Sequence, residues 1–272
     1  MGETGFLVVE NVPGLDAGAV RVLLDAYRAF FGQPEAAKAM VDMAATGASR
    51  GWGRPGAERV NPAANPDYKE VFDAGHEWPA SGLRAYAPNL WPEAPAGFRE
   101  TVEGYFERAV AAGRDLLGHV AAAVGRGPGA FREAFDRPMA LLRGNYYPPR
   151  PAWAGGKDFG IAPHTDYGCL TLLATDGAPG LEVQGRDGAW IAVAEPPGAF
   201  VVNFGEMLER WTGGAVRATP HRVVGGAAER VSAPLFLNPR FDVDVAPPGA
   251  PPVPAGEYLQ RRYDETYLHL TG

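Results

Sequence analysis

Cysteine is almost absent: Cys169 stands alone among 272 residues. A single thiol forms no intrachain disulfide and builds no zinc or iron–sulfur centre, so any metal must be held by histidine and carboxylate. Long apolar runs are missing too. No stretch approaches the roughly 18 consecutive apolar residues of a membrane span. The opening MGETGFLVVENVPG lacks the basic start and apolar stretch of a secretory leader. A cytoplasmic protein with no membrane partner is therefore expected. A myristoylation signal requires Ser or Thr where Phe6 stands, so no lipid anchor is expected at Gly2. Positive charge is in deficit: the net charge is −7 and no Lys/Arg cluster offsets it, which argues against a nucleic-acid partner. Lysine is limited to Lys38, Lys69 and Lys157, so 25 basic residues less three leaves 22 arginines. With abundant Ala, Gly and Pro, that bias suggests a GC-rich bacterial genome.

What is present is enough apolar residue, 46%, to bury a substantial core. Apolar positions recur at helical spacing over Ala17 to Phe31 and over Phe98 to Val124, which Gly125 closes. Residues 47–95, rich in Gly, Pro and Asn, read as long loops with short elements. From about Met139 the texture changes to short strand-like runs separated by turn signals: MALLRGNYYP, CLTLLATD, LEVQ, WIAVAE, AFVVNF, HRVVGG and RVSAPLFL. Seven or so such strands suggest a sandwich or barrel. A last helix is expected over Pro254 to Leu268. One domain over 1–272 is expected, with a mainly helical region at 1–137, a β core at 138–246, and a tail and helix at 247–272.

Polar residues inside these strands carry the chemistry. In GIAPHTDYG, His164 and Asp166 are two apart and share a face if the chain is extended. A His-x-acid pair is cheap, since this composition produces about 0.6 of them by chance, and a surface or turn pair is the plain alternative. His221, in ATPHRVVGG, adds a second imidazole on another strand. Two imidazoles and a carboxylate form the facial triad of non-haem Fe(II) oxygenases, which leaves coordination positions open. In RVSAPLF, Arg230 and Ser232 face one side while Val231, Ala233, Leu235 and Leu237 face the other. A buried arginine needs an anion; its planar fork suits a carboxylate held at two points, and an internal salt bridge is the competing explanation. Arg230 is expected on the strand beside that of His221. Asn145 and Tyr147 in GNYYPP share a face at a strand end, either as an aromatic end before a turn or as hydrogen-bonding groups in the same pocket.

HTD, then HRV about fifty-five residues on, then RVS, with NYYPP upstream, resembles the iron(II)/2-oxoglutarate-dependent dioxygenase superfamily, in its isopenicillin N synthase-like branch. GFLVVENVPG is similar to that family's opening strand and turn, YKEVFDAG at 68–75 to its lysine–glutamate segment, and LFLNPRFD at 235–242 to its closing strand. The resemblance implies a mainly β fold: a double-stranded β-helix, or jelly-roll (cupin-like), core buttressed by N-terminal helices and a C-terminal helix. It implies Fe(II) held by His164, Asp166 and His221, and 2-oxoglutarate as cosubstrate with its distal carboxylate on Arg230 and Ser232. Asn145 and Tyr147 would line the cosubstrate site. It further implies a small-molecule substrate that is hydroxylated, desaturated or cyclised with O2, while 2-oxoglutarate becomes succinate and CO2. GEMLERWTGG departs from the family pattern: Glu206 takes the acidic place and Met207 the amide place, a change expected at the turn and pocket rim. Trp52, Phe72, Arg50, Arg143 and Trp211 are candidate pocket residues, while His76, His119 and His269 are expected outside the site. Two alternatives stay open: an oxidase of the same branch that uses no 2-oxoglutarate, and a non-catalytic jelly-roll binding module.

Overall fold

The computed structural model describes residues 5–45, 49–194, 196, 198–247 and 249–267. Helix α1 (Ala17–Phe31) forms where the periodicity predicts it. Asp16 caps it by accepting the Ala19 N–H at 2.8 Å, and Val20, Leu23, Leu24, Tyr27, Phe30 and Phe31 make the buried stripe. The short α2 (Glu35–Ala39) follows, α3 (Phe98–Ala123) is the second long helix, and the short α4 (Glu206–Trp211) comes later in the chain.

Strands β1 (Phe6–Val9), β2 (Gly51–Gly53), β3 (Glu70–Gly75), β4 (Met139–Tyr147), β6 (Leu170–Thr175), β9 (Phe200–Phe204) and β11 (Arg230–Asn238) form one sheet in the order β1-β9-β6-β11-β4-β3-β2. Strands β5 (Ile161–His164), β7 (Leu181–Gln184), β8 (Trp190–Ala192) and β10 (His221–Val223) form the second, ordered β5-β10-β7-β8. Among the described residues every pairing between these strands is antiparallel. The two sheets make the jelly-roll core. The first 137 residues are thus not helix alone, because they contribute β1, β2 and β3 to the large sheet.

β11 shows how period-2 alternation divides the molecule. Val231, Ala233, Leu235 and Leu237 are fully buried in the core cluster shared with α1 and α3, whereas Arg230, Ser232, Pro234, Phe236 and Asn238 line a cavity on the other face. Tyr27 of α1 closes tightly on β4 because residue 144 is glycine; a Cβ there would lie 2.4 Å from the tyrosine ring. The C-terminal helix, α5 (Ala255–Thr266), lies across the cavity and contributes Leu259, Tyr263 and Thr266 to its wall. Leu268 and His269 lie outside the described residues. No helix among the described residues is long and apolar enough to cross a membrane.

Candidate metal and cosubstrate site

His164 ends β5 and His221 begins β10, and these residues are direct antiparallel partners. Each ring uses Nδ1 on the carbonyl two residues before it: His164 on Ala162 O at 2.8 Å, His221 on Thr219 O at 3.1 Å. A carbonyl can only accept, so Nδ1 carries a proton in both rings and Nε2 is the nitrogen left to ligate a metal. Both Nε2 atoms point toward one carboxylate oxygen, Asp166 Oδ1, at 3.8 and 3.7 Å. Those distances exceed hydrogen bonding, and the three ligand atoms lie within 4.8 Å of one another, as atoms arranged about an ion do. Burial and the adjacent His221 push the His164 pKa down to about 3, so the ring is a neutral donor.

Asp166 is held from behind. Its other oxygen, Oδ2, accepts from Thr171 Oγ1 at 2.5 Å and Asn203 Nδ2 at 2.6 Å. Burial opposes ionisation of this carboxyl, but attraction to His221 and His164 where they are protonated, together with these two hydrogen bonds, keeps its pKa below the ordinary value. Its backbone is fixed as well, since Asp166 O accepts the Glu206 N–H at 2.8 Å and Thr165 Oγ1 donates to Glu206 Oε1 at 2.5 Å. Gly205 permits that approach, because a Cβ there would meet Gly168 O at 2.3 Å. Thr171 and Asn203 had no local signal in the sequence; their role comes from strand pairing, where Thr171 faces Asn203 across β6 and β9.

The cavity bounded by the triad encloses about 110 Å³, room for several water-sized groups. All seven predicted site residues line it: His164, Asp166, His221, Arg230, Ser232, Asn145 and Tyr147. One expectation needs correction. Arg230 is not on the strand beside His221: β10 pairs with β5 and β7, whereas β11 pairs with β4 and β6 in the opposite sheet. The chain crosses between sheets after Val223, so the arginine faces the histidines across the cavity.

On that opposite wall Arg230 and Ser232 are cross-strand partners of Tyr147 and Asn145. Arg230 is 4% exposed; its Nε donates to Ala178 O at 3.2 Å and its guanidinium carbon lies 5.2 Å from the Tyr147 ring centre. Among the described residues no carboxylate lies within the 4.0 Å ion-pair limit of this guanidinium. The nearby Asp176 is engaged with Arg28 at 2.6 Å and the Val231 N–H at 2.8 Å. An internal salt bridge therefore does not account for Arg230. Burial raises the Tyr147 pKa, which keeps the phenol protonated. Asn145 Oδ1 is buried without a hydrogen-bond partner, so the amide, in either orientation, waits for a polar group.

Of the wider pocket candidates, only Arg143 lines this cavity. Trp52 and Phe72 are packed in the core, Trp211 packs at its margin, and Arg50 lines a separate small cavity. Met207 is fully buried in the core rather than at the pocket rim, while Glu206 accepts from Thr165 and, on α5, from Tyr258 and Arg262. His76 and His119 do not line the cavity. Cys169 is buried and its thiol pKa is raised by burial, which makes it a packing residue.

The 2OG-Fe(II) oxygenase superfamily profile matches residues 138–239, and the profile of the non-haem dioxygenase in morphine synthesis N-terminal region matches residues 1–94. A 2-oxoglutarate-dependent dioxygenase of Didymella fabae is 34% identical over 255 residues, covering 88% of this chain and 77% of that protein. A homoarginine-6-hydroxylase of Glycine max is 30% identical, covering 99% and 84%. Among solved structures, a full-length Neurospora crassa protein in complex with alpha-KG superposes with a TM-score of 0.86 at 27% identity, covering 96% of this chain and 87% of that one. The rice dioxygenase for auxin oxidation superposes with a TM-score of 0.72 at 28% identity, covering 97% and 87%. The chain belongs to the 2OG-Fe(II) oxygenase superfamily, the iron- and 2-oxoglutarate-dependent oxidoreductases.

Proposed function

We propose that His164, Asp166 and His221 hold Fe(II), that Arg230 and Ser232 hold the distal carboxylate of 2-oxoglutarate, and that the protein hydroxylates, desaturates or cyclises a small molecule. The observation that carries this reading is the pairing of two unsatisfied features across one cavity. Three ligand atoms converge within 4.8 Å of one another, and a buried arginine faces them without an anion. The donor set of two imidazoles and a carboxylate suits Fe(II). When bound, iron with 2-oxoglutarate and O2 supplies an oxidant strong enough to break a C–H bond, with succinate and CO2 as co-products.

The residues of this chain do the positioning. Arg230 and the Ser232 hydroxyl would seat one end of the diacid, and Tyr147 and Asn145 would line its flank as hydrogen-bonding groups. The Nδ1–carbonyl bonds and the Thr171–Asn203 pair keep the ligand atoms aimed before any ligand arrives. An oxidase of the same branch that needs no 2-oxoglutarate would instead seat a carboxylate of its own substrate on Arg230. The single oxygenase unit over 1–272 is supported by the pairing of β1 with β9 and β3 with β4, which ties the first region to the core. The cysteine-poor, arginine-rich composition supports a cytoplasmic enzyme of bacterial origin, although the relatives named above are fungal and plant.

The test is release of CO2 from 2-oxoglutarate labelled at C1, with Fe(II) and O2 and without added substrate, in wild type and Asp166→Ala. Slow label release in wild type that disappears in Asp166→Ala supports the reading. Equal release in the two proteins contradicts it.

A further inference from the structure

The C-terminal helix faces two ways. Leu259, Tyr263 and Thr266 of α5 are spaced four and three residues apart, so they share one helical face, and that face walls the cavity. Tyr258 and Arg262 stand four apart on the neighbouring face, and both reach the first residue of α4, Glu206. The Tyr258 hydroxyl donates to Oε2 at 2.9 Å, and Arg262 Nη2 donates to Oε1 at 3.3 Å.

Glu206 also holds the loop that follows β5 and carries Asp166. Thr165 Oγ1 donates to Glu206 Oε1 at 2.5 Å, and the Glu206 N–H donates to Asp166 O at 2.8 Å. Beside it, the Met207 N–H is shared between Tyr167 O and Gly168 O, each at 3.2 Å. A second bridge runs from the same loop to α5. The Tyr167 hydroxyl lies 2.5 Å from Thr266 Oγ1, which spends its own hydrogen on Arg262 O at 3.0 Å, so the phenol is the donor. The Arg262 guanidinium carbon sits 4.3 Å from the Tyr167 ring centre. Each residue from Thr165 to Tyr167 is thus tied to Glu206, to Met207 or to α5.

An exposed ion pair alone holds little, and the Glu206 side chain is 31% exposed. What sets this carboxylate apart is that its donors come from two elements: the loop of the metal ligand and the helix that covers the cavity. Moving α5 off the cavity strips Glu206 of two of these three side-chain donors and breaks the Tyr167–Thr266 bond.

We propose that Glu206 is a positioning residue that couples α5 to the metal loop, so that closure of the helix over the cavity and alignment of Asp166 are one event. A substrate packed on Tyr263 and Thr266 favours the closed helix and, through Glu206, the aligned carboxylate. The coupling is reciprocal: what steadies the loop also steadies the helix. This deepens the proposed function and rests on it for the identity of the metal.

The test cuts one arm of Glu206 and reads the other. Thr165→Val removes the loop hydroxyl and keeps the branched shape; it is read by amide hydrogen exchange across α5, relative to exchange across α1. Tyr258→Phe removes the helix hydroxyl; it is read on the Glu206 and Met207 N–H groups, and on Fe(II) affinity by anaerobic titration. Loss of one hydrogen bond predicts exchange at the distant arm about two- to tenfold faster in metal-free protein. Tyr258→Phe is expected to weaken Fe(II) binding by a similar factor, and the two substitutions together are expected to do less than the product of their separate effects. Changes confined to the arm that was cut overturn the proposal, and so does the absence of any change. If Thr165→Val does not fold, Tyr258→Phe decides alone. Failure of the wild type to bind Fe(II) counts against the proposed function, while the metal-free exchange comparison still decides the coupling.

Discussion

Asn203 donates to Asp166 at 2.6 Å, and it does so on Oδ2, the oxygen turned away from the two histidines. Thr171 reaches the same atom. The carboxylate is thereby rotated so that Oδ1 faces His164 and His221.

That arrangement predicts a loss of metal affinity without loss of ligands. Asn203→Ala should weaken Fe(II) binding by about 10–100-fold, with Thr171→Val giving a smaller effect in the same direction. An anaerobic metal titration checks it. Unchanged affinity in both variants would mean that Asp166 is oriented by its backbone alone.

Arg230 is expected to govern cosubstrate binding. Charge-assisted hydrogen bonds contribute about 1.5–3 kcal/mol, so Arg230→Ala should raise the Kd for 2-oxoglutarate by about 10–150-fold while leaving the Fe(II) affinity close to wild type. Tyr147→Phe removes one neutral donor and should cost about 1 kcal/mol. Equilibrium binding of 2-oxoglutarate to the Fe(II) form distinguishes the two.

The buried cluster of Glu58, Lys69, Arg143 and Asp73 predicts acid sensitivity. Burial opposes ionisation of Glu58, but Arg143 and Lys69 overcome this and hold its pKa at about 2 against an ordinary 4.5. A carboxyl lowered on folding contributes stability above the ordinary value, and the contribution is lost as pH falls from about 4.5 toward 2. Asp67, whose pKa is raised by burial, works in the opposite direction. Thermal melts of wild type and Glu58→Gln between pH 7 and 3 should therefore converge on acidification. A constant difference between them would contradict the assignment.

Gly144→Ala should destabilise the fold by about 1–3 kcal/mol through overpacking, because its Cβ would press on the Tyr27 ring that joins α1 to β4. Denaturant unfolding reads this directly. A neutral effect would show that α1 can shift outward at little cost.

Much of this was legible in the sequence, for identifiable reasons. The α1 stripe and the alternation in β4 and β11 are local periodicities, and they appear where the pattern places them. The Arg-x-Ser pair was legible because it is a short motif on β11, and the triad because its ligands sit in short motifs at strand ends, His164 closing β5 with Asp166 two residues past it and His221 opening β10. The assignment of strands to sheets was not, since it depends on pairing between distant segments; that is why Arg230 was expected beside His221 and is found across from it. β2 and β3 were hidden in a Gly- and Pro-rich region whose composition reads as loop. The Glu58–Arg143–Asp73 cluster was invisible for a related reason: its partners are 85 and 70 residues apart, so Arg143 could be read as a pocket candidate but not given its partners.

The most direct test of the central claim is an anaerobic spectral titration of metal-free protein with Fe(II), with and without 2-oxoglutarate. The predicted result is a visible charge-transfer band that requires both components, disappears in Asp166→Ala, and in Arg230→Ala returns only at much higher 2-oxoglutarate concentration. Iron binding with no band at any 2-oxoglutarate concentration would contradict the cosubstrate site, and absence of iron binding would contradict the triad itself.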